Sequence, residues 1–171
     1  ASALSDTFWN ITLPQALETS STNSPAFNTF LAAQINLNCN SLFMHGTMVA
    51  DLLNISGDVH HIFPKAYLRA NGVNTKIKYN QVANYIYLDT QVNKAIRDDA
   101  PNIYFGKVLD QCNTKNVVIG NITDCDRLKQ NLEQNAVPET VVNMTVKDYD
   151  KFLEQRRYLM AKLIEKYYKK L

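Results

Sequence analysis

Two adjacent histidines, His60 and His61, stand in the stretch GDVHHIFPK of a chain that contains three histidines in all. An imidazole ring has a reference pKa of about 6.5, so it can take a proton from water near neutral pH. Neighbouring side chains of a regular strand point to opposite faces, so the two rings serve one site only if the backbone departs from that geometry. Gly57 and Pro64 favour such a departure. The alternative is one buried and one exposed structural histidine.

Two asparagines follow in later predicted elements, one at the start of a strand and one in the helix after it. Asn84 opens the apolar run NYIYLD, and Asn93 follows nine residues later in DTQVNKAI. Hydrophobic spacing accounts for the apolar residues of this region but not for the asparagines, so we expect a polar site here. The remaining histidine, His45 in LFMHGT, has apolar neighbours and is expected to be structural.

Residues 1–57 are predicted to be mostly helical after a loose beginning. Ser24 and Pro25 are typical of a helix start and precede the periodic run AFNTFLAAQINL. A second short helix is predicted in MVADLLN, and Gly57 ends the pattern. The residues of the predicted buried face of the first helix are Phe27, Phe30, Leu31, Ile35 and Leu37.

The period changes in residues 58–100. DVHHIF and NYIYLD are short, β-branched and aromatic, which is typical of strands, and Asn71 and Gly72 supply turn chemistry in the long connection between them. DTQVNKAIRDDAP is then predicted as a helix that Asp89 or Thr90 caps and Pro101 ends. The predicted order is strand, long loop, strand, helix.

Residues 101–171 are predicted to be helical again. The segments NIYFGKVLDQC and CDRLKQNLEQN come first, and the last helix lies in VKDYDKFLEQRRYLMAKLIEKYYKKL, where apolar residues recur at helical spacing on one face. We expect this helix to dock on the rest of the chain. The whole chain of 171 residues fits one mixed α+β domain. The apolar residues of the docking face are Phe152, Leu153, Leu159, Met160, Leu163, Ile164 and Tyr167.

Composition favours a soluble globular protein, since 46% of residues are hydrophobic and 20% are charged. No apolar run approaches the roughly 20 residues that cross a bilayer, and the start ASALSDTFWN lacks the features of a signal peptide. The three cysteines include no CxxC pair, which argues against a structural zinc site or a disulfide framework.

The two adjacent histidines and the two asparagines that follow them resemble the motif of the HNH, or ββα-metal (His-Me finger), nucleases. That motif has a His or Asp before a catalytic His near the end of the first strand, an Asn at the second strand and a His or Asn nine residues later; here these are His60, His61, Asn84 and Asn93. GDVHHIFPKAYL, NYIYLDTQVNKAI, APNIYF and the closing helix are also similar to the C-terminal nuclease domain of GmrSD-type modification-dependent restriction enzymes and their anti-phage relatives. The likeness covers most of the chain from about Ser24.

The resemblance implies a small ββα-metal finger embedded in a mostly helical domain that cuts or nicks DNA. His61 would be the general base that activates water, and Asn84 would fix its ring by a hydrogen bond. His60 and Asn93 would hold a divalent ion, Mg²⁺ or Mn²⁺, as a Lewis acid. An imidazole beside an amide oxygen predicts that Mn²⁺ serves at least as well as Mg²⁺.

Charge is unevenly placed along the chain, although the formal net charge is only +2. The segment from His60 to Arg97 contains a single acid, Asp89, and such an excess of cations is what a phosphate backbone would require. An ordinary solvated surface is the alternative. The cations of this segment are Lys65, Arg69, Lys76, Lys78, Lys94 and Arg97, of which Lys65, Arg69 and Lys94 are the predicted phosphate contacts.

The resemblance also implies two partners, namely DNA and an N-terminal sensor domain of the same full-length protein that hydrolyses nucleotide. It further implies that the protein is found in the cytoplasm of a prokaryote. No GxxxxGK[ST] loop occurs in this sequence, so NTP hydrolysis is not expected of it. Cutting both strands would need a homodimer or successive nicks. Two other functions stay open, namely a nucleic-acid-binding module without turnover and a helical interaction domain whose histidines are structural.

Overall fold

A computed structural model describes residues 3–55 and 58–171, which form a mostly helical α+β structure with one small antiparallel sheet. The predicted break at Gly57 lies outside the described residues. None of the described helices is both long and apolar enough to span a membrane. The helices and strands are α1 (Leu13–Ala16), α2 (Pro25–Asn36), α3 (Val49–Asn54), β1 (His60–His61), α4 (Lys65–Ala70), α5 (Lys76–Tyr79), β2 (Tyr85–Ile86), α6 (Thr90–Ile96), α7 (Pro101–Thr114), α8 (Cys125–Gln134) and α9 (Tyr149–Lys170).

Helix α2 begins where its sequence predicts. The Ser24 hydroxyl accepts a hydrogen bond from the Phe27 N–H, and Pro25, which has no N–H to satisfy, occupies the first helical position. Phe27 and Phe30 are buried, but Ile35 is 40% exposed. Ala33 and Gln34 are buried as well, so the buried face is displaced from the predicted one.

Helix α9 is the docking helix that the sequence predicts, and it packs against α1 and α2. Its buried residues include Phe152, Leu153, Met160, Leu163 and Ile164, which confirms the apolar face. The predicted residues Leu159 and Tyr167 are only half-buried.

The two strands pair antiparallel, with His60 opposite Ile86 and His61 opposite Tyr85. Each strand is two residues long, shorter than predicted, and one further backbone bond joins the Ile62 N–H to the Asn84 carbonyl at 2.8 Å. Helix α4 begins directly after Pro64, so the chain leaves the sheet at once. The predicted loop between the strands contains α4, α5 and a 3₁₀ turn, Val82–Asn84.

Helix α6 starts at its predicted cap, where the Asp89 carboxylate accepts a hydrogen bond from the Gln91 N–H. It ends at Ile96, earlier than predicted, because Arg97 adopts a φ of +55° that a helix cannot continue. Pro101 begins α7 instead of ending α6. Residues of β1, β2 and α6 border one cavity.

Candidate functional site

A cavity of about 180 Å³ lies between β1, β2, the start of α4 and the end of α6. His60 and His61 line it from β1, Asn93 from the middle of α6, Lys65 from the first turn of α4, and Arg97 from just beyond α6. Four of the predicted site residues are thus brought to one place, and Arg97 joins them from the predicted cation cluster.

The other predicted site residues lie outside the lining of this cavity. Arg69 and Lys94 are exposed on α4 and α6, and Asn84 is fully buried behind β1. Of the predicted phosphate contacts, only Lys65 faces the cavity.

Both histidine rings are half-buried, and both line the cavity, so the arrangement of one buried and one exposed histidine is not observed. β1 ends after His61, and Pro64 has no N–H with which to extend the ladder, so the histidine pair stands at the end of its strand. Both residues contribute to the lining of the one cavity.

The His61 ring is oriented by Asn80, with 2.9 Å between His61 Nε2 and Asn80 Oδ1. When Nε2 donates its proton to this oxygen, Nδ1 carries the lone pair. The ring also meets Tyr85 edge to face at 5.4 Å between centroids. Burial lowers the pKa of His61, the Asn80 hydrogen bond raises it, and the charge of Lys65 lowers it. The net lowering favours a neutral ring at pH 7.

Within the described residues Asn84 makes no bond to His61, so the prediction that it fixes this ring is wrong. Its Oδ1 accepts the Phe63 N–H at 2.8 Å, and its Nδ2 donates to the Phe63 carbonyl at 3.1 Å and to the Tyr79 carbonyl at 3.4 Å. Asn84 therefore fastens the turn that follows β1. No residue type or spacing in YNQVAN distinguishes Asn80 as the partner of the ring.

A buried arginine forms hydrogen bonds to backbone carbonyls of β2 and of neighbouring segments. Arg156 on α9 is 1% exposed, and it donates to the carbonyls of Ala83 at 3.1 Å, Tyr85 at 2.6 Å and Asn135 at 3.2 Å. Burial lowers the pKa of Arg156 to about 9, so the guanidinium is still charged at pH 7. This residue is not among those predicted from the sequence. Its signal was the spacing of four that Arg156 shares with the buried Phe152 and Met160.

From the opposite side, Tyr104 on α7 donates its hydroxyl proton to the Ile62 carbonyl and also lines the cavity. Burial raises the pKa of this hydroxyl, so it stays protonated and acts as a donor. Side chains from helices later in the chain thus hold the backbone around β2 and the residue that follows the histidine pair.

His60 and Asn93 could supply a ring nitrogen and an amide oxygen to a divalent ion in this cavity. Burial lowers the pKa of His60, while Asp58 raises it and His61 lowers it, and a neutral ring is the form that binds metal. Among the described residues there is no group of three or more His, Cys, Asp or Glu side chains that could hold a metal. A loosely held ion completed by water fits this donor set better than a closed structural site.

No family model, curated protein or solved structure matches this chain. Its function is therefore inferred from the geometry of the site and from the residues that form it.

Proposed function

We propose that the chain is a metal-dependent endonuclease that hydrolyses phosphodiester bonds of DNA. The single observation that carries the proposal is the cavity lined by His60, His61 and Asn93. Outside the lining, Asn80 binds one nitrogen of His61, and burial favours the neutral form of this ring. A base, two metal ligands and cations beside one small cavity suit attack on a phosphate.

In the proposed reaction His61 Nδ1 takes a proton from a water molecule as the water oxygen bonds to phosphorus. The bond from phosphorus to the 3′ oxygen breaks, and the leaving oxygen takes a proton from solvent. Asn80 orients the ring by accepting from Nε2. Asn84 and Tyr104 act indirectly, because their hydrogen bonds to Phe63 and Ile62 fix the backbone beside His61.

His60 and Asn93 would hold the divalent ion, which when bound supplies Lewis-acid stabilisation of the phosphate and the leaving oxygen. Two protein ligands imply weak affinity, so added Mg²⁺ or Mn²⁺ should be required for activity. We expect Mn²⁺ to serve at least as well as Mg²⁺, because imidazole is a softer ligand than oxygen. Strict dependence on tightly bound Zn²⁺ would contradict this ligand assignment.

DNA is the proposed substrate because cations surround the site: Lys65 and Arg97 line the cavity, and Arg69 and Lys94 are exposed on the two neighbouring helices. The resemblance to the restriction nucleases adds a sensor domain of the same full-length protein as a proposed partner. Double-strand cutting would require a second copy of the chain or two successive nicks.

Supercoiled plasmid incubated with the purified chain in EDTA, Mg²⁺ or Mn²⁺ tests the proposal. We expect metal-dependent conversion to open circle, and loss of that conversion by about 10²–10⁴-fold in His61→Ala. His45→Ala is the matched control, since His45 is exposed and lies outside the cavity lining. Circular dichroism checks that both variants are folded.

Two results would contradict the proposal. Absence of conversion in every metal would favour a binding module without turnover, and plasmid binding measured in the same samples would identify it. Full activity in a folded His61→Ala would mean that the histidine pair is structural.

A further inference from the structure

Arg97 occupies a backbone conformation that arginine disfavours. The Asp99 N–H donates to the Ile96 carbonyl at 3.2 Å, which closes a turn over residues 96–99, and Arg97 has φ +55° and ψ −130°. These are the angles of the first central position of a type II′ turn, where glycine is the usual residue. A Cβ atom makes this region unfavourable for an arginine.

Another positive-φ residue shows how unusual this conformation is. Lys115, which follows α7, has φ +66° and ψ +11°, in the left-handed helical region that other residues visit at modest cost. Arg97 shares the sign of φ but has a very different ψ. Strain of this kind persists only when the surrounding structure imposes it, and it is concentrated at functional sites.

The turn places Arg97 in the wall of the cavity that also holds the histidine pair and Asn93. Helix α6 thereby contributes Asn93 from its middle and a guanidinium from its end. Within residues 3–55 and 58–171, no carboxylate lies within ion-pair distance of that guanidinium. A cation that is kept at a cavity without a carboxylate partner is available to an anion.

Lys65 lines the same cavity from α4, with its Nζ 5.2 Å from the centre of the Tyr79 ring, so two cationic residues border a space of about 180 Å³. Asp98 is also in the lining, and its carboxylate repels an anion, which increases the need for both cations. A guanidinium can donate two parallel hydrogen bonds to a phosphate, whereas an ammonium acts as a point charge. Arg97 is thus the better group to orient a phosphate.

We propose that Arg97 contacts the backbone phosphate of the nucleic acid at this cavity, and that the strained turn exists to hold its guanidinium there. This inference rests on the proposed nuclease function. It assigns the phosphate contact to Arg97 and Lys65, and it removes Arg69 and Lys94 from direct contact with the reacting phosphate.

Two substitutions at the same position separate the cation from the strain. Arg97→Ala removes the guanidinium but keeps a Cβ in the turn, whereas Arg97→Gly removes both. We expect both variants to nick plasmid at least ~10-fold more slowly than the wild type. We also expect Arg97→Gly to melt about 2–4 °C above Arg97→Ala, because only glycine relieves the turn. Arg127→Ala on α8, an exposed cation far from the cavity lining, should nick like the wild type.

A second readout keeps this inference separate from the nuclease proposal. Binding of a labelled DNA duplex in EDTA, followed by fluorescence anisotropy over a range of salt, should give a slope of log affinity against log salt that is smaller by about 0.9 in both Arg97 variants. An unchanged slope would overturn the phosphate contact even if the wild type nicks DNA. A reduced slope with no nicking by the wild type would keep the contact and reject the nuclease. If Arg97→Gly melts no higher than Arg97→Ala, the role assigned to strain is wrong.

Discussion

Two loops of this chain are each held by three hydrogen bonds from the side chain of a buried asparagine. Asn84 accepts the Phe63 N–H at 2.8 Å and donates to carbonyls of Phe63 and Tyr79. Asn131 on α8 accepts the Phe43 N–H, also at 2.8 Å, and donates to two carbonyls of the loop around Phe43. We call these the Phe63 loop (residues 61–65) and the Phe43 loop (residues 41–46).

The loops differ in what surrounds the asparagine. The Phe63 loop begins at His61 and faces the cavity that Asn93 also lines. The Phe43 loop carries the exposed His45, whose backbone N–H donates to Asn121 at 2.7 Å. In both places the asparagine stabilises a loop by hydrogen bonds to its backbone, so a buried asparagine alone does not indicate a reactive site. The chemistry depends on the histidine pair and on the helix that faces it.

The largest expected effect is on stability, and it comes from replacing Arg156, which forms hydrogen bonds to the backbone near both Asn84 and Asn131. Arg156 donates to the carbonyls of Ala83 and Tyr85, on either side of Asn84, and to the carbonyl of Asn135, one helical turn after Asn131. Arg156→Ala leaves these groups buried without a donor and opens a cavity, and we expect a loss of about 3–5 kcal/mol in the free energy of unfolding.

Chemical denaturation would measure this loss, with Arg157→Ala as the control. Arg157 is half-buried beside Arg156 and donates to Gln81 at 3.1 Å, so its loss should cost about 1 kcal/mol. Hydrogen exchange should rise around both asparagines in Arg156→Ala. Faster exchange at only one of the two would mean that Arg156 does not connect them.

The next effect separates the two loops. Asn84→Ala and Asn131→Ala each remove three hydrogen bonds from buried groups, and each should cost about 2–3 kcal/mol of unfolding free energy. In the proposed nuclease only Asn84→Ala should also slow plasmid nicking, measured below the unfolding transition, because it frees the backbone beside His61. Equal nicking by the two variants would place the reacting groups outside the Phe63 loop.

The periodic parts of the fold follow from local sequence. The Ser24 cap, the Pro25 start of α2 and the apolar face of α9 depend on residues close in the chain, and the structure confirms them. The position of both strands was predicted as well, but not their length. At one end of the pair that length depends on Pro64 and on the 3₁₀ turn before β2, which lie at the same end because the strands are antiparallel.

Part of the site could not be predicted, because its contacts join residues that the sequence does not relate. Asn80 reaches His61 across a connection that contains two helices, and Asn84 is indistinguishable from it by residue type. Arg156 contradicts the expectation that arginine is exposed, since backbone carbonyls from two distant segments compensate its burial. The turn at Arg97 places an arginine at a position where the backbone angles favour glycine. The positions of Asn80 and Arg156 are decided by tertiary contacts.

A smaller effect concerns pH. Burial lowers the pKa values of His60 and His61. As the pH falls, these rings are therefore protonated at a higher pH in the unfolded chain than in the folded chain. Their contribution favours folding above a pH of about 6.5, declines as the pH falls below that value, and is constant again below the folded pKa values. Since both rings are half-exposed, water screens the effect, and we expect less than about 1 kcal/mol.

Denaturation midpoints at pH 7.5 and 5.5 would measure this decline. The double variant His60→Gln/His61→Gln should show a smaller decline than the wild type, because it lacks both rings. An equal decline in the two proteins would assign the pH dependence to groups other than these two histidines.

The last expected effect tests the hydrogen bond that orients His61. Asn80→Asp places a carboxylate 2.9 Å from His61 Nε2, and this negative charge raises the pKa of the ring. In the proposed mechanism the rate falls once the base is protonated, so the acid limb of the pH profile for nicking should move up by about one pH unit, with little change in the rate at pH 8.5. Asn74→Asp is the control, since Asn74 is exposed in the same connection and outside the cavity lining. A limb that moves equally in both variants would reflect the added charge on the surface, and a limb that stays in place in Asn80→Asp would mean that His61 is not the group whose protonation stops the reaction.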